Sequence, residues 1–214
     1  MNNKNMNLNE FKNLPIVGIL RGIKEDALEP LAQTIISSGL KTIEITMNTP
    51  NASKLINAMV KLTGERVTIG AGTVLSMTSL KQAINAGATF IVMPTFIPEV
   101  VGYCVKKKIP VFPGALTPQE IYNAWGAGAT MVKVFPAKFF GPAYFREIKG
   151  PFDDIQLLAC GGVTNENIGS FFDAGASAVA FGASIFKKGW LKNQEFFKIG
   201  LSIKSLFSAF SPIS

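Results

Sequence analysis

Apolar positions along the chain fall into many short runs rather than a few long ones. Eight runs are rich in β-branched or aromatic residues and read as strands. They are Ile16–Leu20, Thr42–Thr46, Val67–Ile69, Thr89–Met93, Val111–Phe112, Met131–Phe135, Ile155–Ala159 and Ala178–Phe181. Between them the apolar spacing turns helical, as in Leu28, Leu31, Ile35 and Ile36. Helix starts are marked at Thr49-Pro50, read as an N-cap with Pro in first position, and at Thr164. Thr117-Pro118-Gln119-Glu120 adds a capping box. Helix ends repeat as Ser38-Gly39-Leu40, Ala86-Gly87-Ala88, Ala127-Gly128-Ala129 and Ala174-Gly175-Ala176, each just before a strand.

The repeat has a length. Gly39 and Gly175 lie 136 residues apart. Six strand-and-helix units over that span average about 23 residues, close to the ~25–30 of a (β/α)8 unit. The pattern therefore predicts an α/β fold, a single-domain (β/α)8 TIM barrel over residues 1–214. Within it, 1–12 reads as a polar N-terminal extension. Residues 191–210 read as a C-terminal helix carrying Phe196, Ile199, Ile203, Leu206 and Phe210. The alternative is a doubly wound open sheet, which usually has fewer strands. No G-x-G-x-x-G turn follows the first run.

Composition narrows the class. With 48% hydrophobic and 16% charged residues, the 214-residue chain is far from the disordered regime. No apolar run approaches the ~20 residues of a membrane span. Met1–Asn9 holds no apolar signal core, and Cys104 and Cys160 are isolated, so a cytoplasmic protein with reduced thiols is expected. The histidine count is zero, which excludes Ser-His-Asp and Cys-His catalysis and any imidazole metal site. Acid–base and nucleophilic work falls to Lys, Glu, Asp, Tyr or Cys. The net charge of +7 suits small anionic substrates or nucleic acid. The longest basic run, Lys106-Lys107-Lys108, reads as a solvated helix face. No nucleic-acid or membrane partner is expected.

Two charged residues break their strand patterns. Barrel strands send alternate side chains inward and outward. In Thr42-Ile43-Glu44-Ile45-Thr46 the isoleucines fit the outer face, and Glu44 then points inward. In Met131-Val132-Lys133-Val134-Phe135 the valines face out, and Lys133 points inward. Desolvation favours the free amine of such a lysine, and a free amine can form a Schiff base with a ketone. The competing reading is structural, a lysine that reaches water or pairs with Glu44. Glu44 lies on the second strand and Lys133 on the sixth. In an eight-stranded barrel these stand opposite one another and converge over the axis, near the C-terminal mouth where barrel active sites lie.

Other candidates surround that mouth. Gly161-Gly162-Val163-Thr164 and Gly182-Ala183-Ser184 follow the last two strands, the usual phosphate position in such barrels. Gly70-Ala71-Gly72-Thr73 offers backbone donors and a hydroxyl to a carboxylate. Arg21, ending the first strand, either reaches an anion at the mouth or is solvated. Cys160 reads as packing.

Taken together, Pro15-Ile16-Val17-Gly18-Ile19-Leu20-Arg21-Gly22, Ile43-Glu44-Ile45-Thr46, Gly70-Ala71-Gly72-Thr73-Val74-Leu75, Val132-Lys133-Val134-Phe135-Pro136-Ala137 and Gly161-Gly162-Val163-Thr164 resemble the KDPG/KHG aldolase family. These enzymes act on 2-keto-3-deoxy-6-phosphogluconate and 4-hydroxy-2-ketoglutarate. The resemblance runs in order from about Pro15 to Phe186. It implies a class I aldolase, usually a homotrimer, with no metal and no cofactor. The substrate would be a phosphorylated keto-deoxy sugar acid, and the products pyruvate and glyceraldehyde 3-phosphate. By motif, Lys133 looks like the Schiff-base lysine and Glu44 the general acid/base. Thr73 would hold the pyruvate carboxylate, and Pro94 and Phe135 would line its pocket. Gly161, Gly162 and Ser184 would bind phosphate, beside Gly182.

The match has a departure. Asn48 stands where many of the gluconate enzymes carry Arg. With Leu20-Arg21-Gly22 and Phe140-Gly141-Pro142 it looks more like the 2-keto-3-deoxy-6-phosphogalactonate aldolases, while Ser184 fits the gluconate enzymes. Three alternatives therefore stand beside gluconate cleavage. One is the galactonate reaction. Another is a different phosphate-binding barrel enzyme, such as a thiamine-phosphate synthase or a ribulose-phosphate epimerase relative. The last is a non-catalytic phosphate-binding barrel.

Overall fold

Strands and helices alternate along the computed structural model, which describes residues 5–210. The order is α1 (Leu8–Asn13), β1 (Ile16–Leu20), α2 (Leu28–Ser38), β2 (Thr42–Thr46), α3 (Ala52–Thr63), β3 (Thr68–Gly72), α4 (Met77–Asn85) and β4 (Ile91–Val92). There follow α5 (Pro98–Lys106), β5 (Val111–Phe112), β6 (Gly114–Ala115), α6 (Pro118–Gly126), β7 (Val132–Val134) and α7 (Gly141–Lys149). The chain closes with β8 (Leu157–Cys160), α8 (Ile168–Asp173), β9 (Ala178–Phe181), α9 (Lys188–Lys192) and α10 (Phe196–Ser208).

All strand pairings are parallel, in the order β5-β4-β3-β2-β1-β9-β8-β7-β6. The ends of this sheet, β5 and β6, are separated in the chain by Pro113 alone. The sheet thus curls into a nearly closed barrel within one α/β domain. The expected eight strands become nine among the described residues. Pro113 has no N–H for the ladder, so the fifth run splits. Its carbonyl still accepts from the Lys133 N–H at 2.8 Å, which ties the seam together.

Two layers of core account for the closure. The outer layer holds Ile43, Ile45, Val132 and Val134 with the inward faces of the helices. The inner layer holds Val17, Phe90, Phe112, Met131, Leu158 and Cys160. The in-and-out alternation expected for β2 and β7 is therefore present. Around the outside α2 packs on α3, α3 on α4, α4 on α5, and α10 on α2. Gly39, Gly87, Gly128 and Gly175 all take positive φ at the helix ends, as the repeated Gly motif implies.

The N-terminal segment is more than a polar extension. Asn7 caps α1 by accepting from the Asn9 and Glu10 N–H groups. Met6 and Phe11 are buried in the inner core, and the Phe11 ring stacks on Phe112 at 6.3 Å. This segment plugs the barrel end opposite the C-terminal mouth. Phe11→Ala is expected to cost about 3–5 kcal/mol, the usual range for emptying a buried phenyl site. A lower urea midpoint at unchanged slope checks it, and an unchanged midpoint would make the plug dispensable.

At the other terminus the single expected helix is two, α9 and α10, broken at residues 193–195. The Lys106–Lys108 run is exposed as expected, though only Lys106 is helical. Lys108 has φ 56° beyond the helix end.

Candidate active site

Glu44 sits at the centre of β2, beside Ile19 on β1 and Gly70 on β3. Its neighbours Ile43 and Ile45 belong to the outer core, which turns the carboxylate into the barrel. Lys133 is turned inward in the same way between Val132 and Val134. Both charged residues are buried, Glu44 1% and Lys133 5% exposed. Lys133 Nζ lies 5.1 Å from the centroid of the Phe135 ring. The structural alternative of a Glu44–Lys133 ion pair is not formed. Among the described residues the only ion pair within 4.0 Å joins Lys198 to Glu195, on the outside of the barrel.

Burial pushes the Glu44 carboxyl above its ordinary range, more strongly than the charges of Lys133 and Arg21 pull it down. The same burial raises the Cys160 thiol, and Lys133, Glu44 and Arg21 all act on it. These four groups therefore share one electrostatic environment. A carboxyl shifted upward keeps its proton to higher pH than an ordinary one, which suits it to proton transfer.

The Glu44 shift also has a sign for stability. Between the ordinary value near 4.5 and the higher native one, the folded chain keeps a proton that the unfolded chain has released. Stability therefore falls as pH rises through that window. Glu44→Gln removes this titration. Its melting temperature relative to the parent should be constant below about pH 4.5 and rise above it. A difference that does not change with pH would mean the carboxyl is not shifted.

Arg21 and Thr73 meet at the rim. Arg21 Nη2 donates to Thr73 Oγ1 at 3.4 Å, and Thr73 holds φ 54°, rare for a β-branched residue. Below them, Thr49 Oγ1 accepts from the Gly22 N–H at 3.0 Å and lies 3.0 Å from Thr46 Oγ1. The expected N-cap at Thr49-Pro50 is therefore wrong. The hydroxyl has gone to the β1 turn, and α3 begins at Ala52 after Asn51.

The glycine turns flank the other side. Gly161 and Gly162 have φ 96° and 84°. Asn167 Nδ2 donates to the Gly162 carbonyl at 2.8 Å, and Asn167 Oδ1 accepts from the Thr164 N–H at 2.8 Å. This fixes the turn. It also displaces the expected helix start at Thr164, because α8 begins only at Ile168. Gly161 lies against Phe135 and Pro136. Gly182 lies against Ile19, and its carbonyl accepts from the Ile185 and Phe186 N–H groups, which leaves Ser184 half-buried on the same turn.

The chain is similar to known proteins. Residues 8–201 match the family model for KDPG and KHG aldolases. The chain belongs to the KDPG and KHG aldolase family. Among its relatives, 2-dehydro-3-deoxy-6-phosphogalactonate aldolase of Escherichia coli K12 is 36% identical over 82% of this chain and 86% of its own. The 2-dehydro-3-deoxy-phosphogluconate aldolase of Treponema pallidum is 34% identical over 77% of each. A solved native KDPGal structure superposes with a TM-score of 0.85 at 33% identity, over 92% of this chain and 94% of that one.

In this aldolase Glu44 and Lys133 are buried in the barrel. Arg21 and Thr73 meet in the turns after β1 and β3, and Gly161, Gly162, Gly182 and Ser184 lie in the turns after β8 and the neighbouring β9. Pro94 is half-buried at the end of β4, and its backbone presses on Gly114, where a Cβ would lie 2.2 Å from the Pro94 carbonyl. Phe135 is 38% exposed beside Gly161.

Some contributors escaped the sequence reading. Gly72 is one. A Cβ there would lie 2.2 Å from Glu44 Oε1, so this glycine makes room for the carboxylate. The Thr46–Thr49 pair is another, and Lys138, packed on Gly162, is a third. The Gly70-Ala71-Gly72-Thr73 motif carried a signal for the first. Nothing local signalled the others.

Proposed function

We propose that this protein is a class I aldolase that cleaves a 2-keto-3-deoxy-6-phospho sugar acid to pyruvate and glyceraldehyde 3-phosphate. One observation carries the reading. A lysine and a carboxyl with a raised pKa share the barrel interior without forming an ion pair. In this reading the architecture is the (β/α)8 barrel, with Val111–Ala115 as one strand bent at Pro113.

The Lys133 amine attacks the C2 ketone. Glu44 gives a proton to the oxygen as the carbinolamine forms, and water leaves as the iminium forms. The iminium is the electron sink. Loss of the C4 hydroxyl proton to a base breaks the C3–C4 bond and releases the phosphorylated aldehyde. The electron pair left on C3 becomes the enamine, which is protonated at C3. Hydrolysis then frees pyruvate and restores Lys133. Arg21 and Thr73 hold the carboxylate at one rim, Pro94 and Phe135 bound the pyruvate pocket, and Gly161, Gly162, Gly182 and Ser184 take the phosphate.

Two observations favour the galactonate epimer over the gluconate one first expected. Asn48 stands exposed where an arginine would mark the gluconate enzymes. The relative at 36% identity and the solved structure at 33% are both galactonate enzymes by name. The decisive assay follows pyruvate release from both phosphorylated epimers and from 4-hydroxy-2-ketoglutarate, with NADH consumption by lactate dehydrogenase as the readout. Release from a phosphorylated epimer supports the reading, with the larger kcat/KM naming the epimer. No release from any of the three would refute it.

The setting is read as cytoplasmic. Cys104 and Cys160 are free and buried, and burial pushes the Cys104 thiol up to about 12. Among the described residues no helix is long and apolar enough to cross a membrane. The assembly is read as a homotrimer, a state that light scattering on the purified protein measures directly.

A further inference from the structure

The phosphate side of the mouth, as read so far, contains no cation. Glycine N–H groups offer only partial charges, and a phosphate monoester is close to a dianion at neutral pH. The helix after the first glycine turn, α8, has six residues and adds little. The cations within the site belong to the opposite function, since Arg21 is bonded to Thr73 and Lys133 lies inside the barrel. Lys187, beyond the second glycine turn, sits 4.2 Å from the Trp190 ring.

We propose that Lys138 supplies the missing charge and binds the substrate phosphate. This rests on the aldolase reading above. Lys138 lies in the short 3-10 turn that follows β7, five residues after Lys133. Its stem runs across Gly162. A Cβ on Gly162 would fall 2.5 Å from Lys138 Cβ and 3.6 Å from its Cγ. The glycine is thus required for the lysine to lie there, as well as for the φ of 84°. Asn167 holds the Gly162 carbonyl away in a hydrogen bond, which fixes the peptide plane of the turn.

An anion bonded to the Gly161 and Gly162 N–H groups falls within reach of this lysine. The ammonium is free to go there. Lys138 is exposed, and among the described residues it forms no ion pair. Its recorded partner is the ring of Phe139, 5.0 Å from Nζ. That ring is 71% exposed, so the cation–π contact is a weak, solvent-facing one that a phosphate displaces.

The test compares a 6-phosphorylated 2-keto-3-deoxy sugar acid with its dephosphorylated counterpart. The readout is the ratio of their kcat/KM values in the parent, Lys138→Met and Lys138→Arg. A charge-assisted contact of this kind sets an expected drop in that ratio of roughly 10-fold in Lys138→Met. Raising the salt concentration should weaken the phosphorylated substrate less in Lys138→Met than in the parent. Lys138→Arg keeps the charge and should keep most of the ratio. A merely structural lysine would lower both substrates together and leave the ratio intact. If the parent prefers the phosphorylated substrate and Lys138→Met retains that preference, the proposal is wrong. If the parent has no preference, the phosphate site itself fails, and with it the aldolase substrate assigned above.

Discussion

Lys133→Met is expected to remove aldolase turnover while leaving the barrel intact. The methionine side chain fills nearly the same volume, so no cavity opens at a site now 5% exposed. Lys133 forms no ion pair within 4.0 Å, so exchanging its polar end for an apolar one leaves no broken pair behind. The backbone hydrogen bond that closes the seam, from the Lys133 N–H to the Pro113 carbonyl, survives the exchange. Chemistry does not survive it, because among the described residues Lys133 is the only buried lysine. Loss of the attacking nucleophile should lower kcat by on the order of 10^4-fold or more. A variant with the parent's melting temperature and kcat would remove Lys133 from the mechanism.

Gly72→Ala should damage the enzyme through Glu44 without touching it chemically. The new methyl would sit 2.2 Å from Glu44 Oε1 and 2.5 Å from Cδ. No such contact can persist, and the carboxylate end is the part free to move. The fold is expected to survive, with overpacking costing about 1–3 kcal/mol. The carboxylate is expected to leave its proton-transfer position. A misplacement of about 1 Å can cost on the order of 10^2-fold in rate, and a drop of that size in kcat is predicted. The pH dependence of stability should change too, since a displaced Glu44 is less desolvated. Parent kinetics in a folded Gly72→Ala protein would show that Glu44's position does not matter to turnover.

Glycine 72 also marks the boundary of what the sequence revealed. Strand alternation exposed Glu44 and Lys133, because one misplaced charge in an apolar pattern is a local signal. The Gly70-Ala71-Gly72-Thr73 motif was legible as glycine-rich, but its reason was not. That reason is a carboxylate on the neighbouring strand. Thr49 was misread for a similar cause. Thr-Pro before a helical stretch is a strong local cap signal, yet Gly22 on another turn and Thr46 claimed the hydroxyl. The contact of Lys138 with Gly162 joins two turns that neighbour in space and not in the chain.

Elements show the same division. Ile16–Leu20, Thr42–Thr46, Val111–Phe112 and Ala178–Phe181 coincide with strands at both ends. Elsewhere the bounds moved, as in β3, which runs from Thr68 to Gly72 rather than ending at Ile69. There the ladder with β2 carries on into residues with little strand propensity. The split at Pro113 was visible as a proline. Its consequence, separate pairing of the two halves with β4 and β7, required the closed sheet. The N-terminal plug was hidden because, after Met1, only Met6, Leu8 and Phe11 break an otherwise polar segment.

The most direct measurement is a trapping experiment at Lys133. The protein is incubated with pyruvate, reduced with sodium borohydride, digested and mapped by mass spectrometry. Reduction turns a Schiff base into a stable secondary amine. A pyruvate-derived adduct on the peptide containing Lys133, absent from Lys133→Met, is the predicted result. A folded protein that carries no adduct, or carries it on another lysine, under conditions where a working class I aldolase is labelled, would contradict the Schiff-base assignment.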